Sequence, residues 1–193
     1  FDQVEAFVSE NQWSPRLSLV YKATPQTTLH VGYSRYFTPP TTELVSPTTV
    51  ALFANTSNGP EVSTNSSVKS ERSNYFDIGA SHQLTPALSI SIDGFYKQVT
   101  NMLDEGRFGQ ALIFSPYNYA QGKIYGVELA ASYKSDNLSA YANLARTTSL
   151  AKGINSAQFN FGQDELDYIA NHWVHTDHDQ AFTGSAGVSY RWG

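Results

Sequence analysis

Tyr125-Gly126-Val127-Glu128-Leu129-Ala130-Ala131-Ser132-Tyr133, a short Lys134-Ser135-Asp136-Asn137 passage, and Leu138-Ser139-Ala140-Tyr141-Ala142-Asn143-Leu144 make up the stretch that decides the fold. Tyr125, Val127, Leu129, Ala131 and Tyr133 alternate with Gly126, Glu128, Ala130 and Ser132. Beyond the turn, Leu138, Ala140, Ala142 and Leu144 alternate with Ser139, Tyr141 and Asn143. Successive side chains of a strand point to opposite faces, so this period of two predicts a hairpin with one apolar face. The steps from Tyr125 to Tyr133 at about 3.3 Å make roughly 26 Å, or roughly 20 Å across a layer at a tilt near 40°. Two tyrosines thus bracket an aliphatic run nearly as tall as the apolar band of about 25 Å on a membrane barrel.

The same plan recurs outward. Leu17, Leu19 and Tyr21 precede Thr24-Pro25-Gln26, and Leu29, Val31 and Tyr33 follow it. Phe76, Ile78 and Ala80 precede Thr85-Pro86, and Leu88, Ile90 and Ile92 follow. A last strand carries Phe182, Gly184, Ala186, Val188, Tyr190 and Trp192 on one side. About seven antiparallel strands result, and the chain reads as all-β. Turns near Thr24, Thr85 and Asp136 are short, while 38–72, 101–121 and 150–177 read as long connections. Short turns at one end and long loops at the other are the asymmetry of an outer-membrane barrel. Aromatics gather at both strand ends: Tyr21, Tyr190 and Trp192 by the turns, and Tyr36, Phe37, Tyr75, Phe76, Phe95, Tyr96 and Phe182 by the loops. Such girdles suit the two membrane interfaces; Arg35, beside one of them, reads as an interfacial residue.

Composition narrows the partners. With 12 Lys+Arg against 17 Asp+Glu, the net charge of -5 offers no footprint for nucleic acid. The absence of Cys removes thiolate nucleophiles and disulfides. A charged fraction of 15% beside 12 Tyr, 11 Phe and 3 Trp is unusual for a water-soluble domain. No apolar run approaches the roughly 20 residues of a spanning helix, and residues 1–30 carry no signal peptide.

Several phrases then resemble TonB-dependent outer-membrane receptors. Gly32-Tyr33-Ser34-Arg35-Tyr36-Phe37-Thr38-Pro39-Pro40 is similar to the family's passage from strand to outer loop, and Ser70-Glu71-Arg72-Ser73-Asn74-Tyr75-Phe76-Asp77-Ile78-Gly79 to its re-entry. Ile92-Asp93-Gly94-Phe95-Tyr96-Lys97 with Asn101-Met102-Leu103, and Gly122 to Leu129, resemble two further family strands in the same order. The resemblance covers roughly residues 12 to 192. It implies a 22-stranded barrel closed by a plug of the same full-length chain and powered by the TonB complex through a part absent from this sequence. It also implies active import of a ferric siderophore, vitamin, saccharide or similar scarce solute across the outer membrane of a Gram-negative bacterium. Residues 1–193 then read as a partial barrel domain with no plug, TonB box or signal peptide, facing outer-membrane lipid, needing no cofactor and catalysing nothing.

In the resembling family the outer loops catch the solute, so Phe53, Arg107, Phe108, Tyr117 and Tyr119 are the candidate contacts, all expected in loops. Asp93 and Glu128 are expected to face the lumen beside Lys97 and Lys123. Candidates for a hydrolytic site, His30, His82, Asp93 and Glu128, fall on different strands with no sign of convergence. His172, His175 and His178 match no metalloprotease spacing and read as a solvated loop end rather than a metal site. The rival readings are a small passive porin or adhesin barrel and a soluble β-sandwich binding module.

Overall fold

A computed structural model describes residues 10–40, 52–53, 55–56, 68–107, 114–156 and 158–192, with the side chain of Arg107 excepted. Its strands are β1 (Arg16–Lys22), β2 (Thr27–Thr38), β3 (Glu71–Gln83), β4 (Leu88–Arg107), β5 (Phe114–Lys134), β6 (Leu138–Ile154), β7 (Val174–His175) and β8 (Phe182–Tyr190). One helix, α1 (Gln163–Asn171), lies between β6 and β7. The strands form a single sheet in chain order from β1 to β7, and β8 pairs with β6 below β7. Every pairing is antiparallel. The described strands include no second sheet to pack against the first, which removes the sandwich reading; the sheet is open, with β1 and β8 at its edges.

The short turns close for a local reason. In Thr24-Pro25-Gln26-Thr27 proline presets the bend, and the Thr24 hydroxyl accepts from the Gln26 and Thr27 N–H groups at 3.2 and 2.9 Å. Thr85 repeats this with the N–H groups of Ala87 and Leu88 at 3.2 and 3.0 Å.

Register converts alternation into two chemical faces. One lateral row runs Leu17, Tyr33, Phe76, Tyr96, Tyr125, and the next row toward the short turns runs Leu19, Val31, Ile78, Gly94, Val127. Below them stand Tyr21, Leu29, Ala80, Ile92, Leu129 and Leu144. Most of these large side chains are exposed, so the face is an apolar surface without a protein partner. The opposite face carries His30, Asp77, Asp93, Glu128, Ser91 and Asn143.

Two expectations need correction. Residues 101–121 are mostly not a loop, because β4 runs on to Arg107 and β5 begins at Phe114. At about 3.3 Å per residue these strands reach roughly 65 Å, far beyond the 9–11 residues that cross a bilayer. The stretch 150–177 likewise holds the end of β6, the helix and β7. The protruding part has its own core of Val99, Met102, Tyr117, Tyr119, Ala151 and Ile169. Helix α1 delivers Ile169, and the Glu165 carboxylate accepts the Gly162 N–H at 3.0 Å.

In the full-length protein, Leu129→Arg should lower folding stability in lipid vesicles by about 2–4 kcal/mol, the penalty for a cation at mid-bilayer depth. Ser91→Arg, on the other face, should change it far less. Equal losses in urea titrations of the two variants would refute the facial assignment.

Candidate functional site

On the polar face, Asp93 stands laterally between Gly79 and Glu128, and His30 is the partner of Gly79. His30 Nε2 lies 3.1 Å from an Asp93 oxygen and 3.6 Å from an Asp77 oxygen. This approach needs glycine: a Cβ on Gly79 would run into the Asp93 carboxylate and the His30 ring, and one on Gly32 into the Asp77 carboxylate. His30 and Asp93 therefore do converge, across three strands, contrary to the sequence expectation. His82 is elsewhere, its Nδ1 2.8 Å from the Thr27 hydroxyl. Among the described residues no hydroxyl hydrogen-bonds to His30, so the cluster is an imidazole between carboxylates rather than an activated nucleophile.

The expected neighbours of Asp93 and Glu128 also change. Lys97 shares their face but bonds to Glu71 at 2.8 Å, whose other oxygen accepts the Leu103 N–H at 3.1 Å. Lys123, five residues from Glu128, falls on the opposite face, with its ammonium 4.2 Å from the centre of the Trp173 ring.

Of the five solute-contact candidates, Phe108 lies outside the described residues, and Phe53 is an exposed turn residue. Arg107 closes β4, opposite Phe114. Tyr117 and Tyr119 are not in a loop: they belong to β5 and are 3% and 4% exposed. Their rings meet edge to face at 5.2 Å, with Phe161 at 5.8 Å from Tyr117. The Tyr117 hydroxyl lies 3.1 Å from that of Tyr119 and 3.3 Å from an Asp104 carboxylate oxygen. Burial pushes both phenols and the Asp104 carboxyl above their ordinary values.

Asn118, between the two tyrosines, is the residue that sequence reasoning missed. It is fully buried. Its amide oxygen accepts the Lys69 N–H at 2.7 Å, and its amide nitrogen donates to the carbonyls of Lys69 and Asn101, both at 2.9 Å. Asn101 has a φ of 54°, a conformation that asparagine tolerates better than most residues. An asparagine inside an aromatic alternation was the available signal.

The histidine run does not come together. His172 stacks on Tyr168 at 4.2 Å, and His175 Nδ1 bonds to Asp179. His178 lines a separate cleft of about 310 Å³ with Met102, Asp104 and Thr176. Among the described residues no cluster of three His, Asp or Glu side chains is arranged to hold a metal ion.

The family model for the TonB-dependent receptor-like β-barrel matches residues 1–193. The chain belongs to this family. No curated protein matches it. Among solved structures, the copper transporter OprC aligns with a TM-score of 0.58 at 18% identity, covering 93% of this chain and 24% of OprC. The FrpB iron transporter from Neisseria meningitidis aligns at 0.54 and 13% identity, covering 93% and 24%. A mutant ferric enterobactin receptor, PfeA from Pseudomonas aeruginosa, in complex with enterobactin, aligns at 0.53 and 16%, covering 94% and 33%. The receptor chain thus spans about a quarter to a third of these proteins.

Asp104 sets a pH dependence. Its raised pKa means that the folded state favours the neutral acid, so its contribution is complete below the ordinary carboxyl value of 3.8 and is lost as pH rises through the elevated one. Asp104→Asn in the full-length receptor should therefore raise amide protection around Tyr117 at pH 7 and change it little at acid pH. An equal change at both pH values in hydrogen-exchange mass spectrometry would contradict this.

Proposed function

We propose that this chain forms part of the wall of an outer-membrane receptor that imports a scarce solute actively, powered by the TonB complex. The observation that carries the reading is the continuous aliphatic surface bounded by the Tyr33, Phe76, Tyr96 and Tyr125 row, backed by a face of His30, Asp77, Asp93 and Glu128. Lipid on one side and water on the other is the environment that stabilises both faces at once. In this reading Asp93 and Glu128 face the lumen, where they meet the plug domain of the full-length chain or line the solute route. The protein sits in the outer membrane of a Gram-negative bacterium, and the TonB complex acts on a part outside this sequence. Residues 1–193 are a partial barrel domain with no catalytic task and no nucleic-acid partner.

The protruding β4–β6 sheet lifts the end of β4 at Arg107 well past the membrane, where a solute arrives. The solute class is a ferric siderophore, vitamin or saccharide; the iron and copper named for FrpB and OprC favour metal cargo. Phe53, Arg107 and Phe108 are the contacts assigned to it, whereas the buried Tyr117 and Tyr119 support the protrusion beneath.

The test is uptake by cells carrying the full-length gene, with labelled ferric siderophores first. Uptake that a protonophore or deletion of the TonB system abolishes is expected. Entry that persists without energy would instead favour the passive porin reading. Replacing Phe53, Arg107 and Phe108 together by Ala should reduce uptake while leaving the heat-modifiable barrel intact.

A further inference from the structure

Three of the loop-side aromatics turn away from lipid. Register puts Tyr36, Tyr75 and Phe95 on the face of Asp77 and Asp93, while Phe76 and Tyr96 keep to the other. They form a strip that runs diagonally across β2, β3 and β4. Tyr36 meets Tyr75 edge to face at 6.3 Å, and Tyr75 stacks on Phe95 at 6.1 Å. Gly126 on β5 makes room for the strip, because a Cβ there would run into the Phe95 ring and the Arg146 carbonyl. Tyr75 and Phe95 are only half-buried. The face of such a ring is its negative side, and one cation already uses it: the Arg16 guanidinium lies 5.2 Å from the centre of the Tyr36 ring.

Carboxylates border the strip on the side of the short turns. Asp77 is the lateral partner of Phe95, and Glu128 stands beside Asp93 in the next row. The cations of this face that lie nearby are already engaged. Lys97 bonds to Glu71 at 2.8 Å, Arg16 covers Tyr36, and His30 lies between Asp77 and Asp93. Glu128 is exposed and has no ion pair among the described residues. At the strip's other border the Ser73 hydroxyl, two residues from Tyr75 on the same face, is buried with no hydrogen-bond partner among the described residues.

We propose that this part of the wall recognises a positively charged group of the solute, an ammonium or guanidinium seated over Tyr75 and Phe95 with Asp77 and Glu128 beside it. This rests on the reading of the polar face as the luminal wall of a solute importer, and it narrows the solute to a cationic metal complex. Ring faces and uncompensated carboxylates attract an organic cation together, the first at contact and the second as a field along the wall. An anionic complex is favoured by neither.

The experiment is uptake by energised cells carrying the full-length gene, with three iron-labelled complexes offered in parallel. Ferrioxamine B is cationic through its free terminal ammonium, its N-acetyl derivative is the same complex without that charge, and ferric enterobactin is an anion. Ferrioxamine B is expected to enter about ten-fold faster than the N-acetyl form, and ferric enterobactin slowest. Tyr75→Leu and Phe95→Leu should each lower that preference by about two- to five-fold, whereas Tyr75→Phe, which keeps the ring, should retain it. Glu128→Gln should also lower it, and Gln98→Ser, on the lipid side, should change nothing. Energised uptake that is equal for the first two complexes, or fastest for ferric enterobactin, overturns the cation site and leaves the receptor reading standing. Equal losses of all three complexes in Phe95→Leu and Glu128→Gln overturn it too, by assigning the strip to a basic side chain of the plug. No entry of any complex overturns the cationic metal complex as solute, and entry of all three that persists without energy overturns the receptor reading as well.

Discussion

Lateral register is the constraint on which everything else in this sheet depends. A slip of one residue between any two strands would turn the whole apolar set of one strand to the polar face, because the side-chain period is two. Along β2 to β5 the pairing keeps Val31, Ile78, Gly94 and Val127 level on one side, and Gly79, Asp93 and Glu128 level on the other. Gly32 and Gly79 make the register hard to shift, since each opens a space that a specific carboxylate of a neighbouring strand fills. In lipid the same hydrogen bonds satisfy every backbone polar group within the spanning part, and the edges β1 and β8 are where further strands of a barrel must pair.

Beyond the membrane the stabilising interactions differ. A sheet protruding into water has no lipid to cover it, so β4, β5 and β6 need cover of their own. Helix α1 supplies Ile169, and Phe161 closes over Tyr117 and Tyr119. Burial of this kind tolerates polar groups only when they are paired. Asn118 meets that condition by tying Lys69 and Asn101 to the strand, and Glu71 by taking the Lys97 ammonium and the Leu103 N–H together. These bonds join the segment before β3 to strands that follow it in the chain, and so fix where the outer connection leaves the sheet.

The band was legible in the sequence, whereas the protrusion was not, and one physical difference explains both. Inside the band each strand faces two unlike solvents, so alternation at Tyr125 to Tyr133 is strict and any reader of period two finds it. In the protrusion lipid no longer dictates one face. Asn101 and Gly153 adopt positive φ, and the string Ser115-Pro116-Tyr117-Asn118-Tyr119 is buried residue after residue. Such a stretch has strand geometry without strand periodicity, and a proline in it argues further for a loop. The candidate site suffered in the same way. The solute contacts were assigned by loop membership, so Tyr117 and Tyr119 changed role as soon as they fell within β5. The meeting of His30 with Asp93 was out of reach because it depends on a glycine of the strand between them.

Net charge hides the most consequential feature of this surface. A balance of -5 describes a mildly acidic chain, and it rightly discourages a nucleic-acid partner. Yet the sheet sorts most of its charges by face, with Asp77, Asp93 and Glu128 on one side and Arg35, Lys123 and Arg146 on the other; Lys97, on the acidic side, is bonded to Glu71. Summing them cancels two fields that point in opposite directions and are felt by different neighbours. Asp93 and Glu128 are level with the apolar rows while Arg35 and Lys123 stand above the aromatic row, so these four are also separated in height; Arg146, level with Val127, is not.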